Sequence, residues 1–264
     1  MASFTCAAAG AERPALRLRL LGGFLLTREG TASGENRGNE GDRACCCGWG
    51  GEPVEVPASG QQVLARLALC GTATRSTLAG TLWPDATEAR ARASLRTAMW
   101  RLNGAGSALS DARGGALALS RKVRVDIQDF TAAARQVLAG APVRLRSAYE
   151  VLLCGGELLP GWQQDWVSFE RERLHQLRLH ALEALSARLV ATRAYGPALE
   201  AALESTRIDP LRESAHRAVV SVHLAEHNLT EAVRQYETFR GLLRGELGVE
   251  PSGMFAEMLR HATV

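Results

Sequence analysis

The chain has 264 residues, 46% hydrophobic and 22% charged, which is enough apolar content for real cores at a length that suits two domains of about 100–200 residues. A wholly disordered chain is excluded. So are a transmembrane helix and a secretory leader: apolar runs such as Phe24-Leu25-Leu26 fall far short of the ~20 residues a bilayer needs, and no basic stretch after Met1 leads into an apolar one, so a soluble, cytoplasmic protein is expected. The net charge of +3 rests on 31 basic residues, of which Lys122 is the only lysine, and this removes P-loop, Schiff-base and kinase-type lysine chemistry.

Residues 16–20 alternate apolar and basic, as a half-buried strand does, and Gly22-Gly23 marks a bend into a second strand. Residues 29–60 are poor in apolar groups and read as a long, mobile insertion ending near a short strand at 54–56. The insertion carries Cys45, Cys46 and Cys47; with Cys6, Cys70 and Cys154 they make six cysteines and no C-x-x-C pair. Three contiguous cysteines cannot all face one metal without an unusual backbone, and without a secretory context a disulfide framework is not expected, so Cys45–Cys47 read as exposed loop thiols, with a redox or metal site as the competing reading.

Val63, Leu64, Leu67 and Ala68 have helical spacing over 61–70. Thr74 or Arg75 opens a second short helix over 76–83, which Pro84-Asp85 ends. Thr87 caps a third helix running to about Asn103, with Glu88 in its first turn where the helix dipole favours an acid. Gly104 and Gly106 end it. An Arg113-Gly114-Gly115 turn with the segments 117–119 and 123–125 reads as a hairpin followed by an exit strand, a basic wing carrying Arg121, Lys122 and Arg124.

Strands, three short helices and a hairpin follow the winged-helix order, in which the third helix enters the major groove and the wing touches the backbone. On a wheel of that third helix, Ala91, Leu95, Ala98 and Leu102 form the buried stripe, and Arg90, Ala93, Arg96, Thr97, Trp100 and Arg101 lie opposite. Arginine reads guanine edges or clamps phosphate and threonine reaches either, so the expected DNA contacts are Arg75, Arg90, Arg96, Thr97, Trp100, Arg101, Arg121 and Lys122. Trp100 has a second reading, packed at the edge of the face against the wing. An ordinary amphipathic helix with arginine as solubiliser gives the same wheel. Charge separates the two: residues 75–125 hold 9 basic against 3 acidic groups, whereas 126–264 hold 15 against 18.

Beyond residue 140 the chain is helix after helix with alanine-rich stripes. At an offset of 34, Leu177 pairs with Leu211, Arg178 with Arg212, Ala181 with Ala215, Ala191 with Ala225 and Ala198 with Ala232. That period is the tetratricopeptide helix-turn-helix repeat, with Asp209-Pro210 at the junction. His223-Leu224-Ala225-Glu226-His227 matches a metallopeptidase pattern, and His216 lies seven residues earlier on the same stripe. This stripe is expected outside the buried face of Ala215, Ala218, Val219 and Val222, and only 37 residues remain to supply a further ligand, so no metal site is expected. Gly104-Ala105-Gly106 begins a dinucleotide fingerprint that fails at Leu109.

The strand at 16–21 with Gly22-Gly23-Phe24, the Leu78…Leu82-Trp83-Pro84-Asp85 element and Ser94-Leu95…Trp100-Arg101-Leu102 resemble the OmpR-type winged helix of the Streptomyces antibiotic regulatory proteins. Asp209-Pro210-Leu211-Arg212-Glu213, Glu231-Ala232…Tyr236 and Glu246-Leu247-Gly248-Val249-Glu250-Pro251-Ser252 are similar to their bacterial transcriptional activator domain. The resemblance implies a mostly α protein with a small β part: a winged-helix DNA-binding domain over 1–130, holding the 29–60 insertion, and an all-α tetratricopeptide-like activator domain over 131–264. It implies a non-enzymatic activator without cofactor that binds promoter direct repeats on double-stranded DNA, recruits RNA polymerase and self-associates head to tail. With no receiver domain ahead of the winged helix and no ATPase module after it, the short form is expected, without phospho-aspartate control. The competing function is a repeat-type adaptor whose winged helix no longer binds DNA.

Overall fold

Leu16, Leu18 and Leu20 are fully buried, and their alternation with Arg17 and Arg19 makes β1 (Leu16–Arg19) a strand with one face in the core. The computed structural model describes residues 16–28, 51–104, 109–113, 115–140 and 145–262. The chain forms two compact units, divided between Gln128 and Asp129, with Leu159–Gly161 belonging to the first.

In the first unit, Gly22 and Gly23 take φ of 79° and 135°, a turn that side chains with a Cβ resist, and the chain returns as β2 (Leu25–Arg28), antiparallel to β1. The strand expected at 54–56 lies instead at β3 (Glu52–Pro53), which pairs with β2; Val54 only adds a hydrogen bond from its N–H to the Leu26 carbonyl. Helix α1 (Ala58–Cys70) begins three residues before the expected start. Gly60 lets it approach closely, because a Cβ there would sit 2.8 Å from the Leu102 side chain. After β4 (Thr72–Thr74) come α2 (Arg75–Leu82) and α3 (Glu88–Gly104).

The hairpin differs from the sequence expectation. β5 (Ser110–Arg113) pairs antiparallel with β6 (Ala116–Leu119), and β4 joins the other side of β6. β7 (Val123–Val125) leaves that sheet and runs parallel to β1, completing a second sheet in the order β3-β2-β1-β7. The wing is therefore β5–β6. Arg121 and Lys122 lie on the turn after it and Arg124 lies on β7; none is on the hairpin. Val123 and Val125 are buried around an exposed Arg124, which suits a strand at the edge of that four-stranded sheet.

Helix α4 (Asp126–Leu138) starts in the first unit and continues into the second, followed by α5 (Leu145–Leu153), α6 (Asp165–Ala191), α7 (Tyr195–Ile208), α8 (Glu213–Ala225), α9 (Leu229–Leu247) and α10 (Gly253–Ala262). The period of 34 holds at atomic detail. Arg193 and His227, 34 apart, both take left-handed φ near 60°. Ala194 N–H donates to the Leu189 carbonyl as Asn228 N–H does to that of His223, at 2.9 and 2.8 Å. Two identical helix-ending turns thus close α6 and α8. Ala181, Ala198, Ala201, Ala202, Ala215 and Ala232 are fully buried, which lets the paired helices approach closely. Helix α6 departs from the pattern: it is 27 residues long, so only its second half corresponds to α8.

His227 sits in the turn after α8 ends at Ala225, so the i, i+4 helical pair that the metallopeptidase pattern needs is not formed. His216 is not on an outer stripe. It is buried, stacked on Phe239 at 4.2 Å, with Nε2–H donating to the Pro210 carbonyl (2.9 Å) and Nδ1 accepting from the Gln235 amide (2.8 Å). Burial pushes its pKa below 6.5, with the Pro210 bond and Asp209 opposing. Because protonation is then harder in the folded chain than in the unfolded one, this group's contribution to stability is whole above about pH 6.5 and drains away below it. Urea midpoints for the wild type should therefore drop between pH 7.5 and 5.5 by more than those of His216→Phe; equal drops would show that His216 is not the sensor.

The Glu246…Ser252 segment closes the second unit. Gly248 ends α9 at φ 69°, Glu250 pairs with Arg240 (2.7 Å) and Arg244, and Ser252 N–H donates to Glu213 (2.8 Å) while its hydroxyl and carbonyl cap α10 at Phe255. Phe255 then stands in a core with Phe239, Leu243 and Val220.

Cys154 is disulfide-bonded, against the expectation that no disulfide framework forms. Cys6 and Cys45–Cys47 lie outside the described residues, as does most of the expected insertion.

Candidate nucleic-acid interface

Thr74 precedes α2 with extended backbone, and its hydroxyl accepts from the Thr77 N–H at 3.2 Å, which fixes where the helix starts. That places Arg75 on the first helical residue, exposed. A cation there opposes the helix dipole, so the position is not explained by helix stability and is suited to an anion.

The α2–α3 turn is tight, with Ala86 N–H donating to the Trp83 carbonyl and Ala91 N–H to that of Thr87. On α3 the buried stripe is as the wheel requires: Ala91, Leu95, Ala98 and Leu102 are all at most 2% exposed. The packing of this stripe against α1 and α2 sets the orientation of the opposite face, where Arg90, Ala93, Arg96, Thr97, Trp100 and Arg101 are all exposed. Trp100 does not pack against the wing; it is 75% exposed. Among the described residues, Arg90, Arg96 and Arg101 make no ion pair or hydrogen bond. Arg92, by contrast, is committed to Glu88 (2.6 Å) and Ser76 (2.9 Å) and lies off the centre of the face.

The structure thus brings Arg90, Arg96, Thr97, Trp100 and Arg101 onto one helix face. Arg75 stands at the start of the preceding helix, and Arg121 and Lys122 are exposed on the turn between β6 and β7. What the sequence reading left out is strand β5, which Arg113 ends at the wing turn. The signal was present in the equal strands flanking Gly114-Gly115, but the apolar 123–125 segment competed for the pairing. Among the described residues no group of His, Cys, Asp and Glu is placed to hold a metal ion, and no helix is long and apolar enough to cross a membrane.

Residues 124–261 match the family model of the bacterial transcriptional activator domain. No curated protein sequence matches the chain. Among solved structures, Mycobacterium tuberculosis EmbR, determined in complex with a low-affinity phosphopeptide, aligns over 94% of this chain with a TM-score of 0.67 and 19% identity. This chain spans 65% of the length of that protein, and the likeness establishes the shared architecture of a winged helix followed by helical repeats. With just over half of its residues matched by the family model, the chain belongs to the bacterial transcriptional activator domain family.

Proposed function

We propose that the protein is a sequence-specific DNA-binding activator working in the cytoplasm, with residues 1–130 as the DNA-binding part and 131–264 as the activator part. One observation carries this reading: an exposed α3 face bearing three arginines without partners among the described residues, a threonine and a tryptophan, opposite a fully buried stripe. Arg96, Arg101 and Arg90 reach base edges or phosphates in the major groove, and Thr97 and Trp100 fill the space between them. Arg75, Arg121 and Lys122 hold the flanking phosphates. Residues 126–264, with 18 acidic against 15 basic groups, are repelled by the duplex and are left for protein contacts. With the groove-facing surfaces occupied, the exposed Pro84-Asp85 turn and the repeat unit meet RNA polymerase or a neighbouring protomer. Promoter direct repeats then require head-to-tail, heterologous contacts between copies.

The test is a gel shift on duplex from the chain's own upstream region. Arg96→Ala and Arg101→Ala should each weaken binding by about 1–3 kcal/mol without lowering the melting temperature, because neither touches the buried stripe. Arg121→Ala and Lys122→Ala should each reduce the salt slope by about one while leaving sequence preference intact. Full affinity in the Arg96/Arg101 double variant overturns the groove assignment and favours a protein-interaction role for the winged helix.

A further inference from the structure

The centre of the α3 face is apolar. With about 100° between successive residues, Ala89, Ala93, Thr97 and Trp100 fall in one narrow strip, Arg96 lies on one side of it, and Arg90 and Arg101 lie on the other. All seven are exposed. Thr97 donates its hydroxyl proton to its own helix, to the Ala93 carbonyl at 3.1 Å, so the group it has left to offer a ligand is its γ-methyl and not a donor. Trp100 offers an indole that is 75% exposed. The strip is therefore two alanine methyls, a threonine methyl and an indole, bordered by guanidinium groups.

An exposed indole on a surface helix is costly in water, and solubility needs only the arginines. The borders select an anionic partner, and the strip selects an apolar element within it. In the major groove one base carries such an element: thymine presents its C5-methyl group, where the other bases present donors and acceptors. From Ala93 to Trp100 is about 10 Å along the helix, or three base-pair steps.

We infer that the Ala93–Thr97–Trp100 strip of α3 recognises the 5-methyl groups of a short thymine tract, two or three bases long, flanked by the positions that Arg90, Arg96 and Arg101 contact. This rests on the DNA-binding reading above and adds the base class that the apolar part of the face reads. Trp100 is then a specificity-determining residue, and its substitution should change which bases are preferred as well as how tightly they are held.

The experiment selects tight-binding duplexes from a random-sequence pool with the full chain. It then compares the selected duplex with versions in which single thymines are replaced by deoxyuridine, which differs only by the missing methyl. Binding is read by fluorescence anisotropy of the labelled duplex. Removing each contacted methyl should weaken wild-type binding about fourfold, the worth of one buried methyl-sized group. In Trp100→Ala the thymine-to-deoxyuridine ratio should fall to near one at one or two positions, and in Thr97→Ser at the neighbouring position, with melting temperatures unchanged in both. A selected site that binds equally well with deoxyuridine at every thymine overturns the inference and leaves DNA binding standing. A pool that yields no preferred duplex overturns the DNA-binding reading and this inference with it. A ratio that survives intact in Trp100→Ala also overturns it, since the discrimination then comes from elsewhere.

Discussion

Replacing Arg178 by alanine should destabilise the helical unit by about 3–5 kcal/mol, the cost of breaking a buried charge pair. Arg178 is buried on α6, where its Nε donates to the Leu152 carbonyl at 3.1 Å, and its Nη2 donates to the Leu153 carbonyl (3.0 Å) and to Glu204 (2.8 Å). Leu152 and Leu153 end α5, so their carbonyls have no partner within the helix. One guanidinium therefore caps α5, fixes it on α6 and neutralises a carboxylate on α7. Burial pulls its pKa down and Glu204 opposes that, yet an arginine stays charged. Alanine would leave two carbonyls orphaned and Glu204 with Arg207 alone, at 2.6 Å on the exposed side. Lysine keeps the charge but cannot span three acceptors, so Arg178→Lys should recover only part of the loss. Urea denaturation followed by circular dichroism at pH 7 measures both; an alanine variant within 1 kcal/mol of wild type would mean that the pair contributes little.

The second large effect concerns Asp126, at the start of α4. Its carboxylate accepts from the Leu20 N–H (2.9 Å), the Leu21 N–H (2.8 Å) and the Ile127 N–H (2.8 Å), joining the end of β1 to a segment more than a hundred residues away in sequence. Burial raises its pKa from 3.8 to about 6, against the three donors and the charge of Arg19. Between those values the folded chain keeps a proton that the unfolded chain has released. Asp126 thus adds stability at acid pH that is lost as pH rises through 6, by up to about 3 kcal/mol. Asp126→Ala should cost about 2–4 kcal/mol near pH 4.5, since it orphans three N–H groups, and the cost should shrink toward pH 7. His216 imposes the opposite slope, so the difference between wild type and variant at each pH is the quantity to read. A cost that grows with pH would show that the hydrogen bonds outweigh burial.

The fold was legible wherever a residue's role depends on its neighbours in sequence. The β1 alternation, the Thr74 and Thr87 helix starts, the α3 stripe and the 34-residue period each repeat a local rule, and each is met: the turns at Arg193 and His227 superpose in hydrogen bonding and in φ. The same locality exposed the α3 face, because a residue opposite a buried stripe must face outward.

Pairing between segments was the part not written locally. The apolar residues of 123–125 fit either a wing or a core sheet, and only the parallel docking of β7 on β1 excluded them from the hairpin and carried Arg121 and Lys122 off it. His216 looked like part of an exposed stripe until α9 supplied Phe239 and Gln235 to cover it. Arg178 and Arg212 pair at the 34-residue offset, yet each is tied to a different carboxylate, Glu204 at 2.8 Å and Glu183 at 2.7 Å. The sequence by itself determined β1, the first three helices, the helical repeat and the outward face of α3, because hydrophobic periodicity and capping act over a few residues. The tertiary structure alone decided which strand completes which sheet and which polar groups are buried, because those depend on partners that the chain brings together only by folding.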